Sequence, residues 1–261
     1  MIILKKTICA ILAAMLCMTV FFAGCGDSSS TTPGGVVDNA VDENIQSAGD
    51  IVVPDLEIQE GETTVEDDLG ADVEVFLTNQ YYLEGTIYSP GAEPIPAKLA
   101  VDQNKNFQFT TDYSFEDMKI AFGVAVLDGT TYMTLPEQKK YAELSDTLLA
   151  MLDMEDIADV SDFQMAGSTD NSLASISQYA VTINGEAGLR TVYTFEDTTF
   201  KLYSIGDRLI QIENIENNEV VMLILVDEIS GQIPADQLSL KGLEKASPTS
   251  FFSALISAAG G

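Results

Sequence analysis

The chain of 261 residues has no histidine and no tryptophan. Without an imidazole there is no Ser-His or Cys-His nucleophile pair and no zinc site built on cysteine and histidine. Its three cysteines, Cys9, Cys17 and Cys25, all fall within the first 25 residues. Cations are scarce as well: 12 Lys and Arg stand against 41 Asp and Glu, a net charge of −29. A surface of that sign repels a phosphate backbone, which excludes nucleic acid as a partner. No Ser-x-x-Lys pair, Walker-type phosphate loop or Gly-x-Ser-x-Gly elbow occurs in the sequence. Hydrolysis by a carboxylate pair is the enzymatic class left, and among 41 acids no pair stands out. The expectation is a protein that is not an enzyme and carries no cofactor.

What is present begins with a targeting signal. Lys5 and Lys6 precede the uncharged run "TICAILAAMLCMTVFFAG", residues 7–24, which ends in the small residues Ala23 and Gly24 directly before Cys25. A basic start, an apolar stretch and a small-residue end form the layout of an export signal. "FAGC" resembles the lipobox of bacterial lipoproteins, with Phe22 where that family usually has Leu. The resemblance implies cleavage between Gly24 and Cys25, and a diacylglycerol with acyl chains such as palmitate on the Cys25 thiol. The alternative is an uncleaved anchor, since the run approaches the roughly 20 residues that span a bilayer. Either way the two lysines stay inside and the rest of the chain lies outside the cytoplasm. The expected partner is therefore the membrane itself, through two acyl chains, which suffice for stable attachment. The expected location is the cell membrane facing outward, with Gly26 and the following Ser/Thr-rich stretch in the style of Gram-positive surface lipoproteins.

Residues 26–70 contain twelve acids, no Lys or Arg and no aromatic residue. Such a composition buries too little apolar surface to offset chain entropy, so residues 25–70 are expected to form a lipidated, disordered acidic linker. Within it, "DIVVPDLEI" is a candidate short strand or binding motif. Residues 71–261 have the length of one domain. Hairpin signals punctuate it at "NKN" (104–106), Asp128-Gly129, Asn184-Gly185, Gly206-Asp207 and Asn217-Asn218, each between β-rich runs. "LRTVYTF", "TFKLYSI" and "DRLIQIENI" alternate as half-buried strands do. "IAFGVAVL" (120–127) and "VVMLILV" (220–226) do not alternate, so both faces of these strands are expected to be covered. Two stretches carry a helical stripe: 143–160, with Leu144, Leu148, Met151, Leu152 and Ile157, and the C-terminal segment, with Phe252, Leu255, Ile256 and Ala259. At the start of the latter, Ser247 can cap and Pro248 suits the first turn. The expected class is α+β: a strongly curved antiparallel sheet, an open half-barrel, with one or two packed helices behind a disordered acidic tether.

"YYLEGTIY", "FQFTTDY" and "AVLDGTTYMTLPEQKKYAEL" with the apolar helix after them resemble the LolA/LppX type of bacterial lipoprotein domain. That resemblance implies a hydrophobic cavity between sheet and helices that holds acyl chains. The expected function is thus binding of a lipid or other apolar ligand. The alternative is a cell-surface interaction or structural protein with a solid core. Met133, Met151, Met154, Met165 and Met222 are candidates for an adaptable apolar lining, although methionine also fills gaps in ordinary cores. Asp153, Glu155, Asp156, Asp159 and Asp162 offer the oxygen ligands calcium takes, but without EF-hand spacing they fit a solvated helix face better, and no metal is expected. Tyr81, Tyr82 and Tyr88 are candidates for stacking on sugars, or plain strand tyrosines.

Overall fold

A computed structural model of the chain describes residues 51, 56–78, 80–90, 93–115, 118–145, 147–148, 175–195, 198–216 and 218–258. A short strand β1 (Ile58–Gln59) and a short helix α1 (Ala71–Leu77) come first. A run of strands follows: β2 (Tyr81–Tyr88), β3 (Ile95–Val101), β4 (Phe107–Phe115), β5 (Met118–Leu127), β6 (Thr130–Leu135) and β7 (Lys140–Glu143). A second run holds β8 (Ser175–Ile183), β9 (Glu186–Phe195), β10 (Thr198–Ile205), β11 (Arg208–Glu216) and β12 (Glu219–Ser230). β13 (Glu244–Lys245) and helix α2 (Pro248–Ala258) complete the described chain.

All thirteen strands among the described residues belong to one sheet, in the order β1-β8-β9-β10-β11-β12-β2-β3-β4-β5-β6-β7-β13. Local turn chemistry sets most of it. Asp128-Gly129 (φ 51 and 75°) and Asn184-Gly185 (φ 50 and 82°) put two successive residues at positive φ, as the two-residue turns that match strand twist require. Gly206 supplies the positive φ at the first position of the β10–β11 turn. One non-local pairing joins the two runs: β12 lies antiparallel to β2, Leu223 opposite Tyr88 and Ser230 opposite Tyr82. The β7–β13 pair is parallel. Both edges are two-residue strands, a length that offers little to an incoming strand.

One face of the sheet converges on a single apolar core. It takes Leu83 and Ile87 from β2, Leu99 and Val101 from β3, Phe107 and Phe109 from β4, Phe122, Val124 and Val126 from β5, and Met133 and Leu135 from β6. From the other run come Leu202, Leu209, Ile212, Met222 and Ile224. Strands this far apart in the sheet order share one core only if the sheet curls, as sheets beyond about ten strands do. Val73 and Phe76 of α1 and Phe251 and Leu255 of α2 close this concave side. The continuous apolar runs are covered on both faces: in β5, Ala121, Phe122, Val124, Ala125 and Val126 are all buried. Part of the cover on the outer face is the crossing from β12 to β13, where the Ser239 N–H donates to Gln108 Oε1 of β4 (3.2 Å).

Three expectations need correction. The class is largely β, not α+β, because hairpin follows hairpin and the two described helices have only 7 and 11 residues. Of the helix expected over 143–160, Glu143 is the last residue of strand β7, residues 147–148 have helical backbone, and 146 and 149–160 lie outside the described residues. The disordered linker does not reach residue 70. Ile58 and Gln59 pair with Ile183 and Thr182, Thr64 bridges to Tyr179, and α1 follows at once. This stretch has apolar residues enough for a narrow strip: Leu56 and Ile58, with Ile205, pack against the cluster of Val181, Ile183 and Tyr203. Helix α2 starts at Pro248 as expected, with the Ser250 N–H donating to Ser247 Oγ (3.3 Å). Its buried stripe is centred on Phe251 and Leu255, while Phe252 is half-buried.

Candidate functional site

The concave side is where a ligand cavity was expected. Its side chains are tightly enclosed: Val101, Val124, Met133, Leu135, Leu202 and Phe251 are 0% exposed and Phe122 is 1% exposed. Side chains around an empty space of about 300–1,000 Å³, the size of a ligand site, would be open to water inside it. Met133 and Met222, two of the proposed lining methionines, are core residues. Met151, Met154 and Met165 lie outside the described residues, as do Gly24, Cys25 and the acidic group Asp153, Glu155, Asp156, Asp159 and Asp162. Among the described residues no cluster of Cys, Asp and Glu is arranged to hold a metal ion.

One polar group stands out on this concave side. Asn214 alternates with the outer-face Glu213, sits opposite Phe200 and Met222, and is 2% exposed. Its Oδ1 is buried without a hydrogen-bond partner. Such an atom costs on the order of 1–3 kcal/mol.

The three tyrosines of β2 do not form a stacking platform. Tyr81 belongs to the core, tilted against Phe76 with ring centroids 5.4 Å apart. Tyr82 is buried on the opposite face, where its hydroxyl donates to Glu84, and Tyr88 is half-buried. Beside Tyr82 the outer face holds a shallow depression of about 150 Å³ lined by Glu84, Lys98, Thr110, Asp112 and Asp227. Lys98 Nζ pairs with Glu84 at 3.1 Å, and both side chains are well exposed. The Tyr82 hydroxyl, and after it Lys98, hold the Glu84 carboxyl below its ordinary range.

A second polar group on the outer face was not legible in the sequence. Lys201 and Tyr203 of β10 and Gln211 and Glu213 of β11 alternate with core residues, so their positions read as a solvated face. Instead all four are buried. The Tyr203 hydroxyl lies 2.8 Å from Glu60 Oε1 and 3.4 Å from Glu213 Oε2. Gln211 Nε2 donates to Glu213 Oε1 (2.8 Å), and Lys201 Nζ is 3.9 Å from Glu213 Oε2. Arg190 of β9 pairs with Glu60 and lies 4.4 Å over the Tyr179 ring. Two carboxylates thus face two cations, around one phenol that has a single proton to give. Burial pushes the Glu213 carboxyl above its ordinary value, Lys201 opposes that, and Glu60 adds to it. Burial, Glu213 and Glu60 together push the Tyr203 phenol far up. Glu60 arrives from the N-terminal segment, within the stretch expected to be disordered.

No family model and no curated protein matches the chain. A solved structure from Thermus thermophilus, described as an uncharacterized conserved protein, aligns over 67% of this chain and 96% of its own at 10% identity. Its TM-score of 0.37 does not define a shared fold. No helix among the described residues is long and apolar enough to cross a membrane.

Proposed function

We propose that this protein is an extracytoplasmic lipoprotein, anchored through Cys25, whose β domain is a solid interaction module held out from the membrane. The observation that carries the choice of a solid module is the enclosure of the concave side, with Phe122, Met133, Leu135 and Phe251 at 0–1% exposure. An acyl chain entering there displaces packed side chains rather than filling a space. The anchor is supported by the order of Lys5, Lys6, the apolar run and Ala23-Gly24-Cys25. The acidic stretch that follows keeps the domain clear of anionic headgroups by charge repulsion.

The test of the anchor is metabolic labelling with a palmitate analogue. The wild-type chain takes up label and fractionates with membranes. Cys25→Ser loses the label and appears in the medium. A Cys25→Ser chain that stays tightly membrane-bound sinks the lipid anchor in favour of an uncleaved span.

An alternative reading, in which the concave face holds an apolar ligand instead of being solid, is favoured by Asn214. Its unpartnered Oδ1, on a residue opposite Phe200 and Met222, is a fitting acceptor for the hydroxyl or amine end of an otherwise apolar molecule. A fluorescent fatty alcohol that binds saturably to wild type and at least tenfold more weakly to Asn214→Leu supports it. Absence of saturable binding rejects it.

A further inference from the structure

The segment from Leu56 to Glu66 is attached to the sheet in an unusual way. Along the edge of β8 it is held by the two-residue ladder of Ile58 and Gln59 with Ile183 and Thr182, and outside that ladder by Val65 N–H to Gln178 O (3.0 Å), Ala180 N–H to Thr63 O (3.1 Å) and Asn184 N–H to Glu57 O (2.8 Å). At Gly61 the backbone comes so close that a Cβ would lie 1.9 Å from Ala180 O. Glu60 then reaches past β8 to Arg190 on β9 and Tyr203 on β10. Its carboxylate thereby ends on the same hydroxyl as the buried Glu213.

We propose that residues 56–66 are a strap that opens and closes over the β8 edge, and that Glu213 sets its grip, tighter as the medium becomes acidic. The groups facing Glu213 are Lys201 and Tyr203 from β10, Gln211 beside it on β11, and Glu60 from the strap. Arg190 from β9 reaches the same cluster through Glu60. β12 presents the apolar Leu223 opposite. Docking changes this set in one electrostatic direction. It brings a second negative charge onto the phenol that Glu213 shares, and packs Leu56 and Ile58 against the apolar cluster of Val181, Ile183 and Tyr203. Both effects disfavour ionised Glu213, and the strap brings no cation toward it. The closed state therefore binds a proton at Glu213 more readily than the open one. A proton taken up on closing means that closing is favoured as pH falls, and that the strap loosens as pH rises, by at most tenfold in the docking constant per pH unit for one proton. When Glu213 carries that proton it can donate to the Tyr203 oxygen, which leaves the phenol proton to Glu60.

Two consequences follow from opening. The β8 edge from Gln178 to Asn184 becomes free to pair with another extended chain. The connection to Cys25 also gains 11 residues, up to about 36 Å at full extension. The second consequence rests on the anchor proposed above; the first does not.

The experiment is hydrogen exchange on the full chain in detergent at pH 5, 6.5 and 8, corrected for intrinsic exchange, and followed at Val65, Ala180 and Asn184 against Val124 in the core. Protection of the three strap amides should fall from pH 5 to pH 8, by at most tenfold per pH unit, while Val124 stays unchanged. Glu213→Gln should keep the protection and lose its pH dependence. Gly61→Ala should leave the same amides unprotected at every pH. A pH slope that survives in Glu213→Gln, or strap amides that exchange only together with Val124, overturns the proposal. Glu60→Gln gives an independent check that does not touch the buried acid. It should lower strap protection at all three pH values with the core intact, and unchanged protection contradicts the clamp.

Discussion

Replacing Phe122 by alanine separates a packed concave side from a ligand cavity. Phe122 sits mid-strand in β5, opposite Thr111, at 1% exposure, and belongs to the core that spans both halves of the sheet. In a close-packed site, Phe→Ala loses the transfer energy of the ring and leaves a cavity, a cost of about 3–5 kcal/mol. That is a large share of a typical total of roughly 5–15 kcal/mol. With a urea slope of about 2–3 kcal/mol/M, the midpoint falls by about 1–2.5 M at unchanged slope. The thermal midpoint falls by about 6–20 °C for a domain of this length. Equilibrium urea unfolding followed by tyrosine fluorescence and by circular dichroism gives both midpoint and slope. If Phe122 instead lined an empty acyl-chain site, its removal would enlarge a space already present. A cost under about 1.5 kcal/mol, together with new or tighter uptake of a fatty acid probe, refutes the packing argument.

Other consequences are open to direct measurement. Glu213 has a folded value raised above its ordinary 4.5. Its contribution is therefore fully present below that value and is lost as pH rises through the folded value. Stability from urea titrations should accordingly decline on the alkaline side of about pH 4.5, and less so in Glu213→Gln; equal declines in the two proteins would remove Glu213 as the cause. Tyr203→Phe takes the shared proton donor from two carboxylates and should cost about 1–3 kcal/mol; a change below about 0.5 kcal/mol shows that water replaces the phenol. Gly123→Val places a Cβ 2.6 Å from Phe109 O and 2.8 Å from Thr134 Oγ1. It should part β4 from β5 and yield insoluble protein, and a soluble variant with native circular dichroism contradicts the register.

The turns were the most legible part of the fold. Asp128-Gly129 and Asn184-Gly185 announce tight hairpins because few other residue pairs tolerate two positive φ values in succession. Alternation located β9, β10 and β11, and the uninterrupted apolar runs correctly marked β5 and β12 as covered on both faces. The pairing of β12 with β2 was hidden, because contact between distant strands leaves no local pattern. Helix α1 was missed for a related reason. Its seven residues bury only Val73 and Phe76, too short a stripe to register as a period. The sequence reads as α+β because two stretches carry helical stripes, and the hairpin-built sheet overrides them. The linker boundary was placed too late because composition counts acids without regard to their partners. Glu57 and Glu60 read as solvated charge, yet the Glu57 N–H meets Asn184 Oδ1 (2.7 Å) and Glu60 meets Arg190 and Tyr203. The same partners hide the buried group on the outer face: Lys201 and Glu213 look like surface residues until the strap lies near them.

The central claim is a solid domain on a lipid anchor, and native mass spectrometry of the full chain purified from its own membranes tests it most directly. The account predicts one covalent mass increment, on the peptide that begins at Cys25, and a domain that carries no further mass after gentle release from detergent. A stoichiometric non-covalent adduct that extracts as lipid, and that Phe122→Ala alters, contradicts the solid core and restores a ligand-holding cavity as the function of the concave face.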